Sequence, residues 1–326
     1  MPRLRAAVTA VVAPACLVLL LSGCGGGSGG SGASDDKAAE PDVATTPVLL
    51  DSSGLTFPMD AYLVPAAQRQ ELQRAQNVLV DQCMRRYGFR YTTPKSPDSA
   101  ATTTDVYGEN GRRYGLSSPA LAARYGYGSP PQQTPARAPR PATGSNESLV
   151  LDGPPDLDPS SLPGNLEEAE KARTSGKNTR AVNGVKIPVA GCSGEAGLRL
   201  YSPDAAAVDI TFSQNLNAEA NERSRQDSRV VEAIRKWSAC MAQHGYHVAS
   251  PMDVPSTLQL VDLSGSQAVT TATADVACKR QVNLVGVWYA VESAYQKGLI
   301  EKNAEVLKNF KDQQQARMRL ADSLSG

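Results

Sequence analysis

Apolar residues recur at helical spacing in three parts of this chain. Leu72, Ala75, Leu79 and Cys83 step by three and four through PAAQRQELQRAQNVLVDQC, which lays an apolar stripe along one face of a helix begun near Pro65. Val230, Ile234, Trp237 and Met241 step the same way through SRQDSRVVEAIRKWSACM. From Asp275 to Leu324 the chain is almost continuously helix-forming. Val285, Trp288, Glu292, Tyr295 and Leu299 share one face, with Leu307 and Phe310 further on. Gly298 interrupts that stretch, which predicts two helices or one long kinked one. Its polar end, KNFKDQQQARMRLADSL, predicts a short coiled coil or a frayed terminus.

The first two stripes end in related words, CMRRYGF from Cys83 and CMAQHGY from Cys240. Each puts Cys-Met in the last turns of an amphipathic helix. A glycine, Gly88 or Gly245, then falls where a left-handed C-cap is expected, and Phe89 or Tyr246 is placed to fold back against the helix. A loop and another cysteine follow each word: Cys192 in NGVKIPVAGCSGEAGLRLY and Cys278 in TATADVACKRQVNLVGVWY. Both later cysteines read as helix starts, Ser193-Gly194-Glu195 opening one segment and Thr273 or Asp275 capping the other. The pattern predicts a mainly α, disulfide-stapled domain built from a duplicated helix–Cys–loop–Cys–helix unit.

The stretch between Tyr91 and Ala181 lacks that periodicity and predicts a long low-complexity loop at about 94–180. SPPQQTPARAPRP, Ser129 to Pro141, reads as extended and solvated. Arg113-Tyr114-Gly115 and Arg124-Tyr125-Gly126-Tyr127-Gly128 flank a short helical segment, SPALAA. Tyr and Arg are good anchors for a partner, but Tyr-Gly is also ordinary turn chemistry, and the turn reading is preferred. Glu167, Glu168 and Glu170 before Lys171 and Arg173 predict a solvated helical turn.

The N-terminus changes the picture. Arg3 and Arg5 precede an uncharged apolar run, Ala6 to Leu21, too short to span a bilayer and shaped like a secretory signal. It ends in Leu21-Ser22-Gly23-Cys24, which resembles the lipobox of bacterial lipoproteins. That resemblance implies a diacylglycerol thioether on Cys24 and cleavage just before it. The expected organisation is a signal peptide over residues 1–23, a flexible Gly/Ser-rich and then acidic tether over 24–47, and a helical extracytoplasmic domain over 48–326. With Cys16 removed and Cys24 lipidated, Cys83, Cys192, Cys240 and Cys278 remain. An even number in an exported chain reads as disulfides, with three possible connectivities. The duplicated unit selects Cys83–Cys192 and Cys240–Cys278.

Composition adds exclusions. The 33 basic and 33 acidic residues cancel, so no nucleic-acid footprint is expected. A literal G-x-S-x-G at Gly26–Gly30 lies in poly-glycine without the strand and helix that a nucleophile elbow needs. Gly176-Lys177 lacks the hydroxyl residue of a P-loop. The chain has two histidines, His244 and His247, so any Ser–His or Cys–His mechanism would use one of them. Cys240, His244 and His247 have a plausible metal-ligand spacing. Against that, the first word places Tyr87 and Arg90 at the histidine positions, and Cys240 is better used in a disulfide. His244 is otherwise expected as a half-buried ring near a helix end. No catalytic residue and no cofactor is assigned.

Beyond the lipobox, FPMDAYLVPAAQRQELQRAQNVLVDQCMRRYGF, NGVKIPVAGCSGEA, WSACMAQHGY and DVACKRQVNLVGVWYAVESAYQKGLIEKN resemble uncharacterised secreted lipoproteins of actinobacteria. The resemblance covers most of 48–93 and 181–310. It implies lipid anchoring on the outer face of the cell membrane and company with envelope export machinery; it brings no activity with it. The function expected is that of a non-catalytic, lipid-anchored envelope protein that binds a transport complex or the cell wall. The alternatives are an envelope-acting hydrolase using His244 or His247, and a metal-binding lipoprotein.

Overall fold

A computed structural model describes residues 39–91, 110–130, 142, 144–175 and 180–325. The signal peptide, Cys24 and most of the tether, with most of the SPPQQTPARAPRP stretch, lie outside the described residues. Eleven α-helices carry the described fold: α1 Ala66–Arg85, α2 Pro119–Tyr125, α3 Asn146–Asp152, α4 Leu166–Thr174, α5 Gly191–Tyr201, α6 Phe212–Gln226, α7 Ser228–Gln243, α8 Val254–Thr257, α9 Ser266–Gln281, α10 Leu284–Lys302 and α11 Ala304–Ser325. Strand β1, Ala181–Val182, pairs antiparallel with β2, Val185–Lys186. The turn between them is Asn183-Gly184, both at positive φ, as a two-residue hairpin demands.

The two repeated words terminate α1 and α7 identically. Gly88 and Gly245 both sit at φ +84°. The amides of Phe89 and Tyr246 donate to the carbonyls of Met84 and Met241, each at 3.1 or 3.0 Å, while Gly88 and Gly245 donate to Arg85 and Ala242. These are the two hydrogen bonds of a Schellman stop. The cysteines pair as Cys83–Cys192, with Cα atoms 5.5 Å apart, and Cys240–Cys278, at 5.7 Å.

Each word closes onto its own core. In the first core, Leu72, Ala75, Leu79 and Cys83 of α1 pack with Cys192, Ala196 and Leu200 of α5, Val150 and Leu151 of α3, and Ala321 of α11. In the second, Val230, Trp237 and Met241 of α7 pack with Ala272, Val276 and Cys278 of α9 and with Val285, Trp288 and Val291 of α10. Met59, Leu216, Ala220, Leu299 and Leu307 form a smaller cluster. The C-terminal α11 therefore lies on the first core, against α1. In turn the early helix α2 lies on the second, against α9. The chain crosses between its two repeats at both ends.

Four expectations need correction. Residues 40–47, expected in the tether, belong to the folded unit, which begins at Glu40. Glu40 accepts from Ser228 at the start of α7, Pro47 accepts from Asn283, and a Cβ on Gly286 would come within 1.9 Å of the Pro47 carbonyl. Thr273 and Asp275 do not cap a helix: α9 starts at Ser266, both lie inside it, and Cys278 is in its last turn, whereas Cys192 is at the start of α5 as read. The C-terminal stretch breaks at Asn283, in left-handed conformation, and at Asn303, while Gly298 sits within α10. Finally, the 94–180 stretch contributes α2, α3 and α4, and buries Tyr114, Leu116, Ala122 and Tyr127 in the second core.

Candidate functional site

Two polar clusters lie inside the second core, and both are built from the Arg-Tyr-Gly words. In the first, Glu292 sits on α10 with its side chain fully buried. Arg113 donates to its Oε1 from Nε at 2.9 Å and again from Nη2. The Tyr114 hydroxyl donates to Oε2 at 2.8 Å and Asn221 Nδ2 to the same oxygen at 3.1 Å. Gln296 and Asn217 close the ring, Gln296 donating to Asn217 at 3.0 Å and Arg113 to Asn217 at 2.6 Å. The Arg113 guanidinium also lies 4.5 Å from the centre of the Phe57 ring, and Tyr114 stacks on Trp288 at 4.8 Å.

The second cluster centres on Asp275 of α9. Trp237 Nε1 donates to Oδ1 at 2.9 Å, and the Tyr127 hydroxyl to Oδ2 at 3.1 Å. Lys279, one turn along the same helix and 1% exposed, donates to Oδ2 at 3.1 Å and to the Leu116 carbonyl at 2.7 Å. Gly115 makes room for this: a Cβ there would meet the Pro251 carbonyl at 2.5 Å and Lys279 Nζ at 3.0 Å.

Electrostatics follow from burial. Burial pushes the Tyr114 phenol well above its usual range, and the Glu292 charge adds to that. Burial works against the Arg113 charge, but the hydrogen bond and charge of Glu292 outweigh it and raise the pKa. Burial likewise raises Asp275 and lowers Lys279, each opposed by its partner's charge. Tyr127 is raised by burial and by Asp275. Chemically, these groups are committed. Glu292 accepts from four side chains, about as many as a carboxylate has lone-pair sites, so it has none left to act as a base. Both clusters lock residues 110–128 onto the helices, and Tyr114 and Tyr127 face the core instead of a partner.

The residues read as site candidates divide. Gly88 and Gly245 are the helix stops described above. His244 and His247 are both exposed, so His244 is not the half-buried ring expected. Neither ring hydrogen-bonds another described residue. A ring nitrogen of His244 and the sulfurs of Cys240 and Cys278 lie within 4.8 Å of one another, whereas His247 is outside that group. The Cys240–His244–His247 spacing, disfavoured from the sequence, is not assembled; Cys278 is the third member of the group. At the first disulfide, Arg86 Nη2 stands 3.0 Å from Cys83 Sγ and pairs with Glu195 at 2.6 Å.

Sequence reasoning missed Arg113, Asp275, Glu292 and Lys279. Two signals were present. Glu292 is the one charge on an otherwise apolar stripe, and Asp275-Lys279 is an i,i+4 pair inside a buried helix, each requiring an internal partner.

Among the described residues a largely apolar groove runs along α5, lined by Leu162, Pro163, Leu198, Tyr201 and Ile210, with Asp209 as a charged neighbour. Small residues of α5, Gly194 and Gly197, also line it, and Leu162 and Ile210 are exposed. Among the described residues no helix is long and apolar enough to cross a membrane. The chain matches no protein family, no curated protein and no solved structure.

Proposed function

We propose that this is a lipid-anchored, non-catalytic module of the outer cell surface that binds a partner in the envelope, either a transport complex or the cell wall. The lipobox-like Leu21–Cys24 supplies the anchor, and one diacylglycerol carries two chains, enough for stable attachment. Two disulfides suit an oxidising compartment. The engagement of the buried Glu292 and Asp275 carboxylates by several donors each supports a scaffold. The single observation that carries the binding reading is the α5 groove, a largely apolar surface with Leu162 and Ile210 exposed.

A histidine-dependent hydrolase is the competing reading. Among the described residues neither His244 nor His247 is held by an acid of the kind that orients such a base, which favours binding over hydrolysis.

The test is in-cell cross-linking of the native lipoprotein, followed by mass spectrometry of what co-purifies, beside a Leu162→Asp/Ile210→Asp variant. A specific membrane or wall complex, lost in the double variant, is the expected result. No specific partner in either sample would defeat the binding reading. Loss of cellular function on replacing both histidines by Gln would then favour the hydrolase.

A further inference from the structure

The two disulfides occupy equivalent places in the repeated words but differ in what stands beside them. Tyr87 follows Cys83 by one helical turn, is buried, and donates its hydroxyl to the Lys186 carbonyl at 2.8 Å. His244 takes the same place after Cys240, is exposed, and its ring is unengaged among the described residues. The helix stop does not need an imidazole, since both words end with the same glycine geometry. Yet the ring stands with both sulfurs of its disulfide inside a 4.8 Å group. The Gln281 side-chain oxygen is 3.5 Å from Cys240 Sγ, at the exposed edge of the same place.

We propose that Cys240, His244 and Cys278 form a zinc-class metal site whenever this cysteine pair is in its dithiol form, the disulfide being the closed state of that site. Two thiolates and an imidazole are a characteristic donor set for zinc(II), with a fourth position left to water or the Gln281 oxygen. Thiolates about 2.3 Å from a tetrahedral zinc stand roughly 3.7 Å apart, which side-chain rotation supplies without moving the helices far. A chain not yet oxidised starts with both thiols. From the disulfide, exchange with an external dithiol breaks the S–S bond, passes two electrons and two protons to the protein, and leaves the external dithiol as a disulfide. Zinc then displaces both thiol protons.

The first pair is a built-in control. There Tyr87 is already committed to the Lys186 carbonyl, no imidazole stands at its place, and the nearby carboxylate, Glu195, 4.0 Å from Cys83 Sγ, is held in an ion pair with Arg86 at 2.6 Å. Cys83 and Cys192 should therefore bind no zinc when reduced.

The test uses the purified full chain in detergent, reduced anaerobically with a phosphine that is then removed. Zinc binding is read by competition with a chromophoric chelator, and cobalt(II) is substituted for its thiolate and tetrahedral absorption bands. The expected result is one zinc per reduced chain and none per oxidised chain. Binding should persist in Cys83→Ala/Cys192→Ala and in His247→Gln, and should weaken at least tenfold in His244→Gln and in His244→Tyr, which copies the first word. Circular dichroism is recorded throughout. No stoichiometric binding, equal affinity after loss of His244, or loss of helical signal on reduction would each overturn the proposal, the last because the fold would not then be assembling the site.

Discussion

The phenol of Tyr114 donates to Oε2 of Glu292 across 2.8 Å, joining a word in the low-periodicity stretch to the middle of α10 over 178 positions of sequence. Arg113 pairs with the same carboxylate, and the Tyr114 ring lies flat on Trp288. A hydrogen bond to a buried charge contributes about 1.5–3 kcal/mol, so Tyr114→Phe is expected to cost about 2 kcal/mol. Arg113→Met should cost more, about 3–5 kcal/mol, because it leaves the Glu292 charge without its counterion. Urea unfolding at unchanged m-value checks both. A Tyr114→Phe variant as stable as the native chain would mean that Glu292 is satisfied without the phenol.

Asp275 and Lys279 form the second internal lock, and neither side chain is more than 1% exposed. Lys279→Met strands a buried carboxylate, leaving Trp237 and Tyr127 as its donors among the described residues, at an expected cost of about 3–5 kcal/mol. Asp275→Asn strands the ammonium instead. The double variant removes both charges and should be less destabilised than the sum of the two by about 1–3 kcal/mol. A full double-mutant cycle by chemical denaturation measures this coupling, and strict additivity would show that the pair does not interact in the folded protein.

How far the sequence could be read depended on the range of the interaction. Helix stops are local: Gly88 and Gly245, with Met84 and Met241 four residues before them, are legible because every atom involved lies within six consecutive residues. The disulfide pairing was legible because duplication supplied a rule that spacing alone does not. Asp275 was misread as a cap because its partners Trp237 and Tyr127 are remote in sequence, and an acid near a predicted helix start looks the same whether it caps or is buried. The breaks at Asn283 and Asn303 were hidden by Gly298, a stronger breaker on paper, which α10 tolerates on an exposed face. Tyr114 and Tyr127 lack periodic neighbours, so nothing local marks them as core; their burial is settled by Glu292 and Asp275. Of the candidate metal ligands, Cys240 and His244 share a helix end and were legible together, whereas Cys278 is brought in by the disulfide.

Gly245 isolates the cost of a backbone conformation from the cost of space. A Cβ there would meet nothing within 4 Å, yet φ is +84°. Gly245→Ala should therefore destabilise by about 1–2 kcal/mol through strain alone, Gly245→Asn by less, and Gly245→Val by more. The ranking is read from thermal midpoints. Equal midpoints for Ala, Asn and Val would show that the stop relaxes into another conformation.

Asp227 gives the pH dependence its sign. Its carboxylate caps α7, accepting from the Arg229 amide at 3.0 Å, from the Arg229 guanidinium at 2.7 Å, and from the Tyr295 hydroxyl at 3.3 Å. Burial by itself pushes the acid up, but these donors outweigh it and hold its pKa below the usual 3.8. A folded value below the unfolded one means that the charged form stabilises the fold above the unfolded pKa. That contribution is lost as pH falls through the folded value. Asp227→Asn keeps an oxygen acceptor for the cap and removes only the charge. At pH 7 the variant should be less stable by about 1 kcal/mol, a modest figure because Arg229 is partly open to solvent. The gap between wild type and variant should hold down to about pH 5 and close as the acid protonates below about pH 4. Urea midpoints at a series of pH values test this, and a gap that persists at pH 2.5 would place the stabilisation in the shape of the cap instead of its charge.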